Sequence, residues 1–166
     1  MKVITAVEDY KLDGDDITCF LAGGINKCPN WQKEVIEELK KLGEFEHLVI
    51  FNPRRDNFPI DDPNASEEQI KWEFKWLSLA SIFSMYFCNS ESVQPICFYE
   101  LGRNLATRKR GTGCFVISVE DGFSRGKDVS IQTALALGYP CVHFHATPEK
   151  HAKRIAKQYE HIMNTL

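Results

Sequence analysis

No stretch of this sequence approaches the roughly 20 consecutive apolar residues that a membrane-crossing helix needs. Basic excess is missing too: 20 Lys and Arg stand against 23 Asp and Glu, a net charge of −3. Nucleic acid polymers and anionic membranes are gripped by cationic surfaces, so neither partner is expected. There is no Gly-Lys-Ser/Thr and no Gly-x-Gly-x-x-Gly, which removes the P-loop and the dinucleotide fingerprint. Cys19, Cys28, Cys88, Cys97, Cys114 and Cys141 never fall at Cys-x-x-Cys or zinc-finger spacing. All but Cys28 lie in or beside apolar runs, as small buried hydrophobes do, so reduced structural thiols are expected. His143 and His145 share one strand face but have no third ligand at a fitting distance in sequence, and are read as structural. Neither a metal nor a cofactor is expected. The apolar run in Met1 to Thr5 is too short for a signal peptide, which points to the cytoplasm.

What the chain does have is an ordinary globular composition, 43% apolar over 166 residues, with no linker, repeat or low-complexity segment. One domain over residues 1–166 is expected. Apolar runs alternate with helix-period segments, the pattern of a parallel sheet flanked by helices. Strands are predicted at Ile17 to Ala22, His47 to Phe51, Ile82 to Phe87, Cys114 to Val119 and Pro140 to Phe144. Helices are predicted over Trp31 to Leu42, Ser66 to Leu79, Pro95 to Arg108, Val129 to Leu137, and from Pro148 toward Leu166. Asn30 suits the N-cap of the first helix and Gly43 its stop, while Ser66-Glu67-Glu68-Gln69 has the character of a capping box. Val3 to Val7 reads as a further edge strand. The fold class is α/β, a three-layer, five-stranded parallel sheet with helices on both faces.

In such sheets ligands bind beyond the carboxyl ends of the strands, which selects the residues to question. Gly23-Gly24 would let a ligand approach the backbone, or would serve a plain tight turn. Glu100 lies on the second turn of a predicted helix among Ile96, Phe98, Tyr99 and Leu101. A poorly solvated carboxylate there suits a glycosyl-transfer nucleophile. Taken alone, the residues favour the plainer alternative, an exposed acid paired with Arg103 or Asn104. Glu73, flanked by Trp72 and Phe74, has the same character and could act as a second, proton-donating carboxyl group or lie on a solvated helix face. Arg54 and Arg55 follow a strand, where their donors could meet a phosphate, or pair with Asp56, Asp61, Asp62 or Glu100. Trp72 and Trp76, four residues apart, and Trp31 read as core. Arg108-Lys109-Arg110 reads as a cationic helix end.

Phe20-Leu21-Ala22-Gly23-Gly24-Ile25, Asn30-Trp31-Gln32, Asn52-Pro53-Arg54-Arg55-Asp56, Trp72-Glu73, Tyr99-Glu100-Leu101-Gly102 and Glu120 to Val129 together resemble the nucleoside 2-deoxyribosyltransferase-like family. The resemblance spans about residues 17 to 145 with its segments in order. It implies a flavodoxin-like (Rossmannoid) sheet and a homo-oligomer whose neighbouring subunits complete each other's sites. Large apolar side chains near the expected rim, Phe83, Phe87, Phe98 and Phe123, point the same way. The implied activity is cleavage of a (deoxy)nucleoside N-glycosidic bond, with the deoxyribosyl group passed to another nucleobase through an ester on a Glu. By resemblance Glu100 is that nucleophile and Glu73 falls close to the acid that handles the base proton. Asn52, Arg54, Arg55, Asp56, Ser92, Gln94, Arg125 and Asp128, with Gly23 and Gly24, are the implied substrate contacts. Family transferases carry Asp six residues before the nucleophile, where this chain has Gln94. That departure leaves two other readings: a nucleoside 5′-monophosphate N-glycohydrolase, and a non-catalytic nucleotide-binding or interaction module.

Overall fold

Strands and helices alternate through a computed structural model that describes residues 1–59, 61–108 and 114–165. Among these residues the strands are β1 (Lys2–Thr5), β2 (Ile17–Gly23), β3 (Leu48–Asn52), β4 (Ile82–Phe87), β5 (Cys114–Glu120) and β6 (Val142–Ala146). The helices are α1 (Trp31–Leu42), α2 (Ala65–Leu79), α3 (Pro95–Thr107), α4 (Gly126–Leu137) and α5 (Pro148–Met163). All strand pairs are parallel, in the order β1-β3-β2-β4-β5-β6. The sheet has six strands rather than the five expected. Lys2 to Thr5 pairs with Val49 to Asn52, so the N-terminal run adds an edge strand with its backbone groups satisfied on one side.

Strand order reverses between β2 and β4, and that switch point opens a crevice at their carboxyl ends. Alternation along the strands feeds two cores. Phe20 and Ala22 face the layer of α2, α3 and α4, while Cys19 and Leu21 face the layer of α1 and α5. Central strands buried on both faces explain their unbroken apolar runs.

Local signals account for most helix bounds. Trp31, Val35, Ile36 and Leu39 make the buried stripe of α1, and Asn30 Oδ1 accepts from the Lys33 N–H at 3.2 Å. Helix α2 departs from expectation at its start: it begins at Ala65, which is buried, and Asn64 at the cap position makes no side-chain capping bond. The expected capping box does not form. Helix α4 starts three residues earlier than predicted, at Gly126, where any side chain would meet Val119 and Phe144. Strand β6 lies two residues later than predicted. Arg108 ends α3 and donates to the Leu77 carbonyl at 3.1 Å and to Asn104 Oδ1, tying α3 to α2; Lys109 and Arg110 lie outside the described residues. No helix among the described residues is long and apolar enough to cross a membrane.

Trp31, Trp72 and Trp76 are core residues as expected, and the cysteines are free. The expected apolar rim is not formed by the four phenylalanines. Phe83 and Phe87 are fully buried, and Phe98 and Phe123 pack with Phe87 in one stack. The histidine reading also needs correction. His143 and His145 are exposed, His145 pairing with Asp121 at 2.7 Å, and the buried structural histidine is His151.

His151 bridges the core with Nε2 2.7 Å from Ser84 Oγ and Nδ1 2.8 Å from Ser118 Oγ. Burial first, and then Arg154 and His143, push its pKa from 6.5 down to about 3. The unfolded chain therefore takes up a proton below pH 6.5 that the folded chain refuses, so stability is complete above 6.5 and lost as pH falls toward 3. The expected loss is about 1.4 kcal/mol per pH unit in that window. In urea unfolding at pH 7.5, 5.5 and 4.5, His151→Gln should be less stable than the wild type at pH 7.5, with the gap closing on acidification. A gap constant with pH would refute this.

Candidate active site

The crevice at the switch point is a cleft of about 320 Å³. Phe20, Ala22, Gly23 and Gly24 from the end of β2 form its floor, Pro53 and Glu73 one wall, and Ser92 to Cys97 with Glu100 the other. Its volume suits a small molecule.

Two glycines allow this approach. Gly23 has φ 152°, and a Cβ there would collide with the Tyr86 carbonyl and sit 2.5 Å from Trp31 Cζ2. A Cβ on Gly24 would strike Cys28 Sγ and come within 2.8 Å of the Gln94 side chain. The loop that follows is held from behind. Trp31 Nε1 donates to the Gly24 carbonyl at 3.0 Å. One Arg54 Nη donates to the carbonyls of Ile25 (3.0 Å), Cys28 (3.2 Å) and Pro29 (2.9 Å), while Nε donates to Gln32 Oε1. Where a phosphate or a carboxylate was expected at Arg54, the structure shows Nε and one Nη bonded to the Gln32 side chain and to backbone carbonyls of the loop.

Glu73 on α2 and Glu100 on α3 both line the cleft. Burial, then the facing Glu73, raise the Glu100 carboxyl to about 7, with Arg103 pulling the other way. Burial raises Glu73 as well, and the Gln69 amide opposes this by donating to Oε1 at 2.8 Å. Two carboxylates across a shared, poorly hydrated space repel, which adds to the effect of burial and favours a proton on the pair.

Gln94 is buried, with backbone φ 52°, and lines the cleft. Its Nε2 donates to the Cys88 carbonyl at 2.7 Å, which fixes the amide's orientation and leaves Oε1 without a partner among the described residues. Of the other expected contacts, Ser92 is in the cleft wall. Asn52, Arg55, Asp56, Arg125 and Asp128 do not line it. Asn52 Oδ1 accepts from the Arg54 N–H, Arg55 lies over the Phe58 ring, and Arg125 pairs with Asp128 on the surface. Sequence reasoning missed Cys97 in the cleft lining and Gln69 behind Glu73. Only Gln69 carried a readable signal, its spacing of four from Glu73 on a helix. Among the described residues no cluster of three or more His, Cys, Asp or Glu could hold a metal ion.

Ionising Glu100 in this setting costs stability. Its folded pKa lies above the ordinary 4.5, so the wild type loses stability as pH rises from 4.5 through about 7. Glu100→Gln, neutral throughout, should match the wild type at pH 4.5 and exceed it at pH 8 by roughly 1–3 kcal/mol. Chemical denaturation at both pH values checks this; equal stabilities at pH 8 would show a well-solvated carboxylate.

No curated protein matches the chain. A family profile described as "Nucleoside 2-deoxyribosyltransferase like" matches residues 16–117, which include β2 through β4, the cleft loops, Glu73 and Glu100. Because the match covers more than half of the 166 residues, the chain belongs to the nucleoside 2-deoxyribosyltransferase-like family.

Proposed function

We propose that the protein cleaves the N-glycosidic bond of a 2′-deoxynucleoside and transfers the deoxyribosyl group to another nucleobase. The observation that carries this reading is the meeting of Glu73 and Glu100 in one cleft at the carboxyl edge of the sheet. Ionised Glu100 attacks C1′ from the face opposite the base, forming a C1′–O ester bond as the C1′–N bond breaks. Protonated Glu73 gives its proton to the departing base nitrogen, so the base leaves neutral. In the second half an acceptor base attacks C1′, the ester breaks to restore the Glu100 carboxylate, and Glu73 takes the acceptor's proton. Gln94 Oε1, a buried acceptor without a partner among the described residues, would accept a hydrogen bond from a sugar hydroxyl.

The cleft composition favours a nucleoside over a nucleoside 5′-monophosphate. Among the described residues no Lys or Arg lines it, and Arg54 is bonded to carbonyls. A phosphate placed beside two carboxylates with no cation would be repelled. Self-association belongs to the same reading. Ile70 and Phe74 on α2, and Ile96 and Tyr99 on α3, are exposed apolar side chains flanking the cleft, where a second copy would cover them. Sedimentation at micromolar concentration should therefore give a species larger than the 19.0 kDa monomer; a monomer alone would sink that part.

Incubation of a deoxynucleoside with a second free base, followed by chromatography, should yield the new nucleoside. Free sugar would mean a hydrolase, and no product would favour a binding module. A 2-fluoro-2-deoxy nucleoside should leave one sugar's mass on the peptide holding Glu100. Glu100→Ala should lower the rate at least a thousandfold, several kcal/mol of barrier, with little loss of melting temperature. Near-normal turnover in that variant would exclude Glu100 as nucleophile.

A further inference from the structure

Gln69 has an unusual set of partners for a glutamine one turn from a cleft. Its Nε2 donates one proton to the Pro53 carbonyl at 3.0 Å and the other to Glu73 Oε1 at 2.8 Å. Its Oε1 is buried and has no partner among the described residues. Turning the amide over would set its carbonyl oxygen against the Pro53 carbonyl and, with Glu73 ionised, against a carboxylate, three acceptors with no donor between them. The orientation that leaves an acceptor unpaired is thus retained because the alternative is worse. Pro53 itself lines the cleft, so the amide links one wall to the carboxyl group beside it.

We propose that Gln69 is a positioning residue for Glu73, deciding which carboxyl oxygen carries the transferable proton. This rests on the reading of Glu73 as proton donor. With Oε1 occupied as an acceptor, a proton on Glu73 resides on Oε2, which among the described residues meets no donor. Gln69 also holds the carboxyl group in one rotamer, so the proton is presented from a fixed point. The hydrogen bond favours the ionised form and counters the upward push of burial, which keeps Glu73 a strong enough acid to release its proton to a leaving base. The titratable groups set against this carboxyl are on α3. Glu100 faces it, Arg103 lies one turn along with its guanidinium 4.3 Å from the Phe74 ring, and the Cys97 thiol, pushed up by burial and Glu100, stays neutral. Phe20 and Pro53, from β2 and the segment after β3, are uncharged cleft neighbours.

Two measurements test this in the full chain. In the wild type, the side-chain amide protons of Gln69 are followed by NMR as pH is varied. One of them should shift with the same midpoint as the Glu73 carboxyl carbon, and a Gln69 amide indifferent to that titration would overturn the proposal. Gln69→Met then keeps the length of the side chain but removes both donors. The Glu73 midpoint should move to higher pH, and kcat should fall roughly tenfold for a deoxynucleoside whose base leaves poorly. An activated nucleoside should lose less than twofold, and KM should stay within twofold for both. Equal losses for both substrates, or an unmoved midpoint, would mean a merely structural glutamine. If the wild type turns over no nucleoside, the glycosyl reading fails, while the two NMR midpoints still decide whether Gln69 governs Glu73.

Discussion

The cleft exists because the end of β2 can lie closer to its neighbours than any side chain would permit. At Gly23 the space a Cβ would need is taken by the Tyr86 carbonyl and the Trp31 ring, and at Gly24 by Cys28 and Gln94. Shifting this strand end outward by the width of a methyl group would push the loop into the space between α2 and α3. Trp31 and Arg54 then make the close approach permanent, through hydrogen bonds from behind to the Gly24 carbonyl and to those of Ile25, Cys28 and Pro29. A half-buried guanidinium spent on neutral carbonyls is an unusual use of Arg. It gives a polar loop the donors that secondary structure would otherwise supply.

Two acids on separate helices face the space so created, and both are held above the ordinary carboxyl range by burial. Their mutual repulsion and the small number of nearby cations make the pair costly for the fold and well suited to proton traffic near neutral pH. Differences between the two environments are modest but directional. Glu73 has one neutral amide donor, while Glu100 has the facing acid and the more distant Arg103. The amide favours ionised Glu73, whereas burial and the facing acid favour protonated Glu100, so the proposed roles of proton donor and nucleophile require the proton of the pair to pass to Glu73 when substrate binds.

The central elements were readable in the chain because their signals are local. Ile82–Phe87 is an unbroken apolar run, Trp31–Leu42 carries its own stripe, cap and stop, and Pro95 starts α3 where a proline fits. Elements at the edge of the sheet were less legible. Lys2–Thr5 is short and half-exposed, and only its pairing with β3 makes it a strand. The start of α2 was misplaced because burial of Ala65 outweighed a capping signal at Ser66. Of the expected site residues, Gly23, Gly24, Glu73, Ser92, Gln94 and Glu100 meet in the cleft, whereas Asn52, Arg54, Arg55, Asp56, Arg125 and Asp128 do not line it.

By itself the sequence determined the α/β alternation, the strand ends that matter, and the family, since each depends on patterns within a few residues of one another. Tertiary structure alone decided which charges face which. Arg54 stands next to a strand end, as a ligand-binding arginine would, yet its guanidinium turns to a loop some 25 to 30 residues earlier in the chain. Gln69 looks like an ordinary surface helix residue until the Pro53 carbonyl and Glu73 are seen around its amide. Hydrogen bonds and desolvation act over a few ångströms in space, and sequence separation does not measure that distance.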